Sequence, residues 1–476
     1  MKPLNVIAKR LLTALLAAFV LIGVWPAAPA GAETKEQVDE VREILEQLHL
    51  SKPDDSDLNQ TAIDAMVESL HDPYTEYFDP EEWKSFSDSL EQHFSGVGIV
   101  LVQDAGTIYA EDVIPGSPAE KAGVKPDDVI VSAAGAPAKG LTIADLQQKL
   151  RGKEGTSVQL GVERGGKTLS FTLVRSSIQL PVAEGHLLGD GVGYLSLSGF
   201  TSDAGSLFEE ELGKLEKSGM TSLVIDLRDN GGGYVSAAQQ IASLFIQDGV
   251  LAHLKDRDGN DTPIEAKGGG KDYPVTVLVN GSTASASELL SGALQDYGIA
   301  KLTGTKTFGK GVVQSIIQLE SGGVIKVTVQ EYFTPNGRKV DKTGLTPDHA
   351  VNGTEEQLIA AFQDAGGRAL TVEFGKSSVL INGIRTAHPG AAVQNGNGWS
   401  VHLRLAAALV GAQIGYDAKA KTVTVSRGGV VHKLSEGDAR LTKKNGWNLI
   451  DLQTFAGWFP ELKSDAAGGT LKLSVR

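Results

Sequence analysis

The 476-residue chain contains no cysteine. That absence excludes structural disulfides, thiolate nucleophiles and zinc–thiolate sites together, and confines the search for a nucleophile to Ser, Thr and Lys. The nine histidines include no HExxH or comparable ligand spacing, so no metal or other cofactor is expected. Cations are outnumbered as well. Against 44 Lys and Arg stand 58 Asp and Glu, a formal net charge of -14, which argues against a nucleic-acid partner. Long apolar runs are scarce, and the one at the N-terminus, Leu11 to Trp25, is short for a bilayer span of about 20 residues. With Lys2, Lys9 and Arg10 before it and Ala30-Gly31-Ala32 after it, this run reads as a secretory signal over residues 1–32. The expected location is extracytoplasmic, secreted or associated with the cell envelope. A retained signal segment acting as a membrane anchor is the alternative.

What is present is an ordinary globular composition with 21% charged residues, enough chain for about three domains. Residues 33–93 read as a helical region: Val38, Val41, Leu45 and Leu48 recur at helical spacing, then Ile63, Met66, Val67 and Leu70, and Pro80 starts a third short helix. It carries no chemistry of its own and reads as a packing or homodimerisation element. From Phe94 to about residue 176 short strands take over (GIVLV, TIYAEDV, DDVIVSA, SVQLGVE, KTLSFTL), interrupted by two helices. One has Ser117 as N-cap, Pro118 at its first position and Gly123 just past its end.

Residues 177–352 alternate strands and helices, predicting a mixed α/β domain. Ser222 to Leu227 is a continuous apolar run suited to a strand buried on both faces, and it ends in Asp229-Asn230-Gly231-Gly232-Gly233. A second buried strand, Val275–Val279, leads through Asn280-Gly281 into a small-residue helix with Ser282, Ser285, Ser287 and Ser291 near its start. A serine there lies at the positive end of the helix dipole, beside unpaired N–H groups. A lysine then stands alone between two glycines, Gly309-Lys310-Gly311. Serine with a buried lysine is one way to make a nucleophile without histidine. The lysine must be neutral, far from its ordinary pKa of about 10.4. If Lys310 to Gln314 is a strand, both side chains share one face, and Gln314 can orient the amine without adding charge.

The 94–176 layout and the sequence IPGSPAEKAGVKPDDVIVSAAG resemble a PDZ domain. Gly96-Val97-Gly98-Ile99 resembles its carboxylate-binding loop, which captures a peptide C-terminus as an added strand; Arg151 is a further candidate contact. The order PDZ, DLRDNGGG, TASASE, TFGKGVVQ, with YFTPNGR and GLTPD beyond, resembles the carboxyl-terminal processing (tail-specific) serine peptidases over about residues 35–351. The resemblance implies Ser285 as nucleophile, Lys310 as general base and Gln314 as its support. It implies oxyanion donors from Ala286 N–H and from Gly231 or Gly232, and a core of the crotonase/Clp type. Asp296 reads as structural. Residues 370–476 form a further module with an internal repeat, Asn397-Gly398-Trp399 returning as Asn445-Gly446-Trp447, each unit a helix followed by a hairpin. It resembles the stalk modules related to the N-terminal domain of copper amine oxidases.

The chain is thus expected to be an α/β and α+β multidomain protein. The expected function is a serine endopeptidase that recognises the C-terminus of a protein or peptide substrate and cleaves through an acyl-enzyme. A catalytically silent PDZ scaffold, and acyl-thioester chemistry on a crotonase-like core, are the rival readings.

Overall fold

The computed structural model describes residues 35–476 apart from residues 52, 397, 445, 468 and 469. The expected signal segment, residues 1–32, and the repeat's Asn397 and Asn445 lie outside the described residues. The chain forms two compact units that part between Asp72 and Pro73. In the first, helices α1 (Lys35–Leu48) and α2 (Asp55–Glu68) follow. Asp54 caps α2 by accepting from Asp57 N–H at 2.8 Å. Val38, Val41, Ile44, Leu45 and Leu48 of α1 stay exposed.

The expected helical region 33–93 is therefore divided. Strand β1 (Glu76–Phe78) and helix α3 (Pro80–Leu90) belong to the second unit, where β1 pairs antiparallel with the strand Val324–Phe333. Period-3.6 patterning identifies helices but not which body they pack on, and β1 is too short to carry a pattern.

The PDZ-like segment comprises β2 (His93–Gly96), β3 (Ile99–Asp104), β4 (Thr107–Val113), α4 (Pro118–Ala122), β5 (Val129–Ala133), β6 (Ala136–Pro137), α5 (Ile143–Leu150), β7 (Ser157–Arg164), β8 (Lys167–Val174) and β9 (Ser176–Gln179). Its sheet runs β3-β4-β5-β7-β8, while β2 and β9 pair as a separate ribbon where the chain enters and leaves. Ser117 accepts from Glu120 N–H at 3.2 Å to cap α4, and Gly123 ends that helix at φ +90°, the left-handed value that glycine adopts without strain. Ile108, Ile130, Leu146, Leu160, Val162 and Leu173 form a hydrophobic core of the segment's own.

The next region carries β10 (Ala183–Leu187), β11 (Val192–Leu197), α6 (Ala204–Lys217), β12 (Ser222–Asp226), α7 (Val235–Phe245), β13 (Asp248–Asp256), β14 (Asp261–Lys267), β15 (Val275–Val279), α8 (Ala286–Asp296), β16 (Ala300–Gly304), β17 (Val312–Gln318), β18 (Val324–Phe333) and β19 (His349–Ala350). A central sheet has the order β10-β11-β12-β15-β16-β19, parallel except for β10. β12 and β15 are buried along their whole length, as continuous apolar runs require. Alternation sorts their side chains. Leu223, Ile225, Val275 and Val277 face α6, α7 and α8, whereas Val224 and Leu278 face the other way. A second sheet, β1-β18-β13-β14 with β17 on β18, lies beside it.

The other face of the central sheet is covered by α9 (Thr354–Asp364) and by the C-terminal module. Two strands of that module, β20 (Leu370–Phe374) and β21 (Ser378–Ile381), concern us below. Two segments offset by 48 to 50 residues follow the same course of strand, seven-residue helix and hairpin: Gly398–His402, Leu403–Leu409 and 413–427, then Trp447–Asp451, Leu452–Trp458 and 463–475. Their first strands pair antiparallel. The module is not a separate body. Its Val372, Ile381, Leu405 and Phe455 share one core with Tyr194, Val224 and Leu278 of the sheet and with Leu358 and Phe362 of α9. At about 1.5–3 kcal/mol for each large apolar side chain buried, this face fuses module and sheet.

Where module meets α9, His388 Nδ1 and Glu355 Oε1 pair at 3.2 Å with both side chains buried, and His402 packs edge-on against His388 and Trp447. Burial first, then the neighbouring His388, lowers the His402 pKa from 6.5 to about 4. A depressed histidine leaves stability intact above the unfolded value and removes it as pH falls toward the folded one. The expected result is a loss of about 2–3 kcal/mol between pH of about 7.5 and about 4.5 attributable to His402. Urea titrations of wild type and His402→Gln at both values measure it, and an equally steep pH dependence in the variant would exclude His402 as its source.

Candidate active site

The carboxyl ends of β12 and β15 carry the two turns of interest, as expected for ligand sites on parallel sheets. At the end of β12, the buried Asp226 carboxylate receives Arg228 (Nη2 at 2.6 Å) and the Tyr194 hydroxyl (2.8 Å), while Arg228 Nη1 reaches Thr354 O at 2.6 Å. Asn230, fully buried, then organises the glycines. Its Nδ2 donates to Leu197 O at 2.7 Å, its Oδ1 accepts from Gly232 N–H at 2.9 Å, and its own carbonyl accepts from Ala284 N–H and from Ser287 Oγ, each at 3.0 Å. The glycine turn is thereby tied directly to the serine turn. Gly232 adopts φ +101°, and a Cβ there would lie 2.8 Å from Ser285 Cβ and 2.9 Å from Ala286 N. Only glycine permits this approach. Gly231 faces open space.

After β15, the chain turns sharply into α8 at Ser285, which is held at φ +57°, ψ −118°. A non-glycine residue at such angles stores strain that the surroundings must hold, and a strained strand-to-helix turn of this kind presents its side chain outward. The surroundings are explicit. Ala286 to Leu294 of α8 are all buried, Tyr332 OH donates to Ser285 O at 3.2 Å, and Glu288 Oε2 accepts from Ser285 N–H at 3.0 Å. Burial, then the nearby Glu288, pushes the Tyr332 hydroxyl well above its usual range, so it remains a donor.

Glu288 also builds the lysine's side of the site. The fully buried carboxylate accepts from Gly309 N–H at 2.8 Å, from Lys310 N–H at 2.9 Å and from the Thr307 hydroxyl. Burial pushes its pKa up, against the pull of these donors and of Ser285. One side chain thus clamps the serine turn to the lysine loop. The flanking glycines are sterically required: a Cβ at Gly309 would lie 2.9 Å from Gly344 N, and one at Gly311 only 2.0 Å from Asp341 N.

Lys310 itself precedes β17, which begins at Val312. The condition of a regular strand from Lys310 to Gln314 is therefore not met, and the register against β18 shifts between Val313 and Gln314. A bulge breaks the alternation on which the shared-face argument depended. The structure nonetheless brings both residues to one cavity of about 610 Å³, whose walls also include Ser285, Gly231, Gly232 and Tyr332. Ala286 is buried at the start of α8, and its side chain is not part of the cavity wall. Gln314 Nε2 donates to Thr328 Oγ1 at 3.3 Å, and Lys310 Nζ sits over the Tyr74 ring, 4.9 Å from its centroid. Asp296 is structural as expected, pairing with Arg338 at 2.5 Å.

The PDZ loop forms a second cleft of about 470 Å³ in which Gly96, Val97, Gly98, Ile99 and Arg151 all take part. Gly98 has φ +81°, and a Cβ would fall 2.2 Å from Ser117 Cβ. Ser89 and Gln92 line both this cleft and the serine cavity, so the two are neighbours with a common wall. Of the residues that build the site, Glu288, Tyr332 and Tyr74 were given no role from sequence, and Asn230 was placed only as the start of the glycine turn. The Ser-x-x-Glu spacing of Ser285 and Glu288, a capping-box signature, was the available clue for Glu288. The others act through contacts distant in sequence.

Comparison with known proteins agrees with these motifs. Residues 191–351 match the family model of peptidase family S41, and residues 109–164 that of the PDZ domain. A probable CtpA-like serine protease of Staphylococcus saprophyticus is 34% identical over 349 residues, covering 72% of this chain and 71% of that protein. Its counterpart in Staphylococcus aureus strain COL is 35% identical over 327 residues, covering 68% of this chain, which spans 66% of that relative's length. The solved photosystem II D1 C-terminal processing protease is 28% identical, with 67% of this chain and 94% of that one covered and a TM-score of 0.43. Neither family model reaches the C-terminal module. By its match to the two family models and by its staphylococcal relatives, the chain belongs to peptidase family S41, the serine peptidases, and carries a PDZ domain.

Proposed function

We propose that this chain is an endopeptidase that takes hold of a protein substrate by its C-terminus and cleaves it through a Ser285–Lys310 acyl-enzyme mechanism supported by Gln314. The observation that carries the reading is the single cavity holding Ser285, Lys310, Gln314 and the glycine turn, with the PDZ cleft as its neighbour. The substrate C-terminus adds as a strand beside Gly96–Ile99, with Arg151 at the cleft wall. The chain behind it passes Ser89 and Gln92 toward Ser285. Lys310, as neutral amine, takes the Ser285 proton as Oγ attacks the scissile carbonyl, and returns it to the leaving amine. Water then releases the acyl group. The aromatic face of Tyr74 favours the ammonium form, so proton uptake requires Lys310 to leave the ring or shed its proton when substrate excludes water. Ala286 N–H is one oxyanion donor. Gly231 is the other, since Gly232 N–H is already engaged by Asn230 Oδ1.

Export, envelope association and self-association through α1 and α2 belong to the same proposal, supported by the leader pattern and by the apolar residues that α1 exposes. The deciding experiment is labelling with a serine-directed acylating probe followed by peptide mapping. Stoichiometric label at Ser285, no binding of coenzyme A, and faster cleavage of an unfolded substrate with an apolar free C-terminus than of its C-terminally amidated form are the expected results. Absence of label would favour a silent PDZ scaffold, and coenzyme A binding would favour thioester chemistry.

A further inference from the structure

The PDZ domain has its own core and is joined to the rest through the β2–β9 ribbon, where the chain enters and leaves. A domain attached in this way moves against its neighbour unless something else restrains it. The C-terminal module is in the opposite situation, sharing one hydrophobic core with the central sheet and α9. Between the two lies a direct polar link. Asp127, in the turn before β5, has its backbone N–H tied to Ala110 O at 2.8 Å within the PDZ domain. Its carboxylate accepts from Ser377 N–H at 2.9 Å and from Ser377 Oγ at 2.6 Å, in the turn between β20 and β21. Ser377 is fully buried, and the fit is close, since a Cβ on Gly375 would lie 3.1 Å from Asp127 Oδ2. The adjacent Asp128 serves a different purpose: it is buried and spent inside the PDZ domain on a two-point contact with Arg164. A longer-range electrostatic influence crosses the same boundary. Burial and Asp112 raise the Glu111 pKa while Arg385 of the module opposes them.

We propose that the C-terminal module is an intramolecular brace for the PDZ domain, with the Asp127–Ser377 contact as its latch. The module is rigid with the catalytic core, so the latch fixes where the peptide cleft stands relative to the serine cavity across Ser89 and Gln92. The inference about catalysis rests on the tail-capture reading above; the inference about domain position does not. A charge-assisted pair of hydrogen bonds to a buried partner is strong for its size. Its loss leaves the PDZ fold untouched but frees the domain on its ribbon, lowering the effective concentration of a captured chain at Ser285.

The test uses the full chain. At φ +67° Asp127→Gly removes the acceptor without backbone strain, and Asp127→Asn keeps a carbonyl acceptor in a conformation asparagine tolerates. Hydrogen exchange in β2, β9 and the β20–β21 turn is expected to rise in Asp127→Gly and to stay near wild type in Asp127→Asn. The affinity of the PDZ domain for an apolar C-terminal peptide should be unchanged in both, which checks its fold. For Asp127→Gly, kcat/KM on a tail-bearing unfolded protein should fall about tenfold, against less than a twofold change on a peptide too short to reach the PDZ cleft. Unchanged exchange, or equal losses on both substrates, would overturn the brace. If wild-type enzyme shows no preference for a free C-terminus, tail capture fails, and the exchange data still decide the brace.

Discussion

Replacing Ser285 or Lys310 by alanine is expected to lower kcat/KM by roughly 10⁴-fold or more, the order seen when members of a nucleophile–base unit are removed. The two losses should be alike, and the double variant no worse than either, because nucleophile and base act in the same proton transfer. Neither change should unfold the chain. Ser285 is strained at φ +57°, and its backbone rather than its side chain carries the contacts to Glu288 and Tyr332. A Tm close to wild type, together with retained binding of the C-terminal peptide, separates lost chemistry from lost structure. Undiminished cleavage of an unfolded, apolar-tailed substrate by either purified variant would remove the assignment.

Glu288→Ala should behave differently, losing stability and activity together. Glu288 is buried among donors from Ser285, Thr307, Gly309 and Lys310, and truncation leaves them without an acceptor. Each buried unsatisfied group costs about 1–3 kcal/mol, partly relieved if water enters, so a net destabilisation of about 3–5 kcal/mol is expected. Activity should fall at least 10²-fold, because Ser285 and Lys310 lose their common clamp and displacements of about 1 Å in a site cost that much. Glu288→Gln retains shape and one acceptor, and should recover part of both. Chemical denaturation beside steady-state kinetics on all three proteins measures this. A Glu288→Ala protein as stable and active as wild type would show that the clamp is dispensable.

The contrast between these variants reflects what the sequence could and could not disclose. Ser285, Lys310 and Gln314 could be named because the family resemblance fixes which residues of local motifs to choose, and one cavity contains all three. The shared face of Lys310 and Gln314 was inferred from a regular strand, and the bulge between Val313 and Gln314 removes that regularity without any mark in the residues themselves. The boundary at Asp72 was hidden because Glu76–Phe78 is too short to display alternation. Independence of the C-terminal module was expected from its repeat. A run such as Ser222–Leu227 says that a strand is covered on both faces, but not by what, and the cover on one face is the module. Helix α9, which bridges them, lay in a stretch that the sequence reading left between two domains.

The β2–β9 ribbon has a consequence beyond positioning. His93–Gly96 runs antiparallel to Ser176–Gln179, so the chain leaves the PDZ domain beside the point where it entered. The catalytic sheet is therefore threaded without reference to what lies between. Such a domain is a cassette. The residues of its cleft can diverge, or the whole domain be exchanged, while Ser285, Lys310 and the turns that hold them stay as they are.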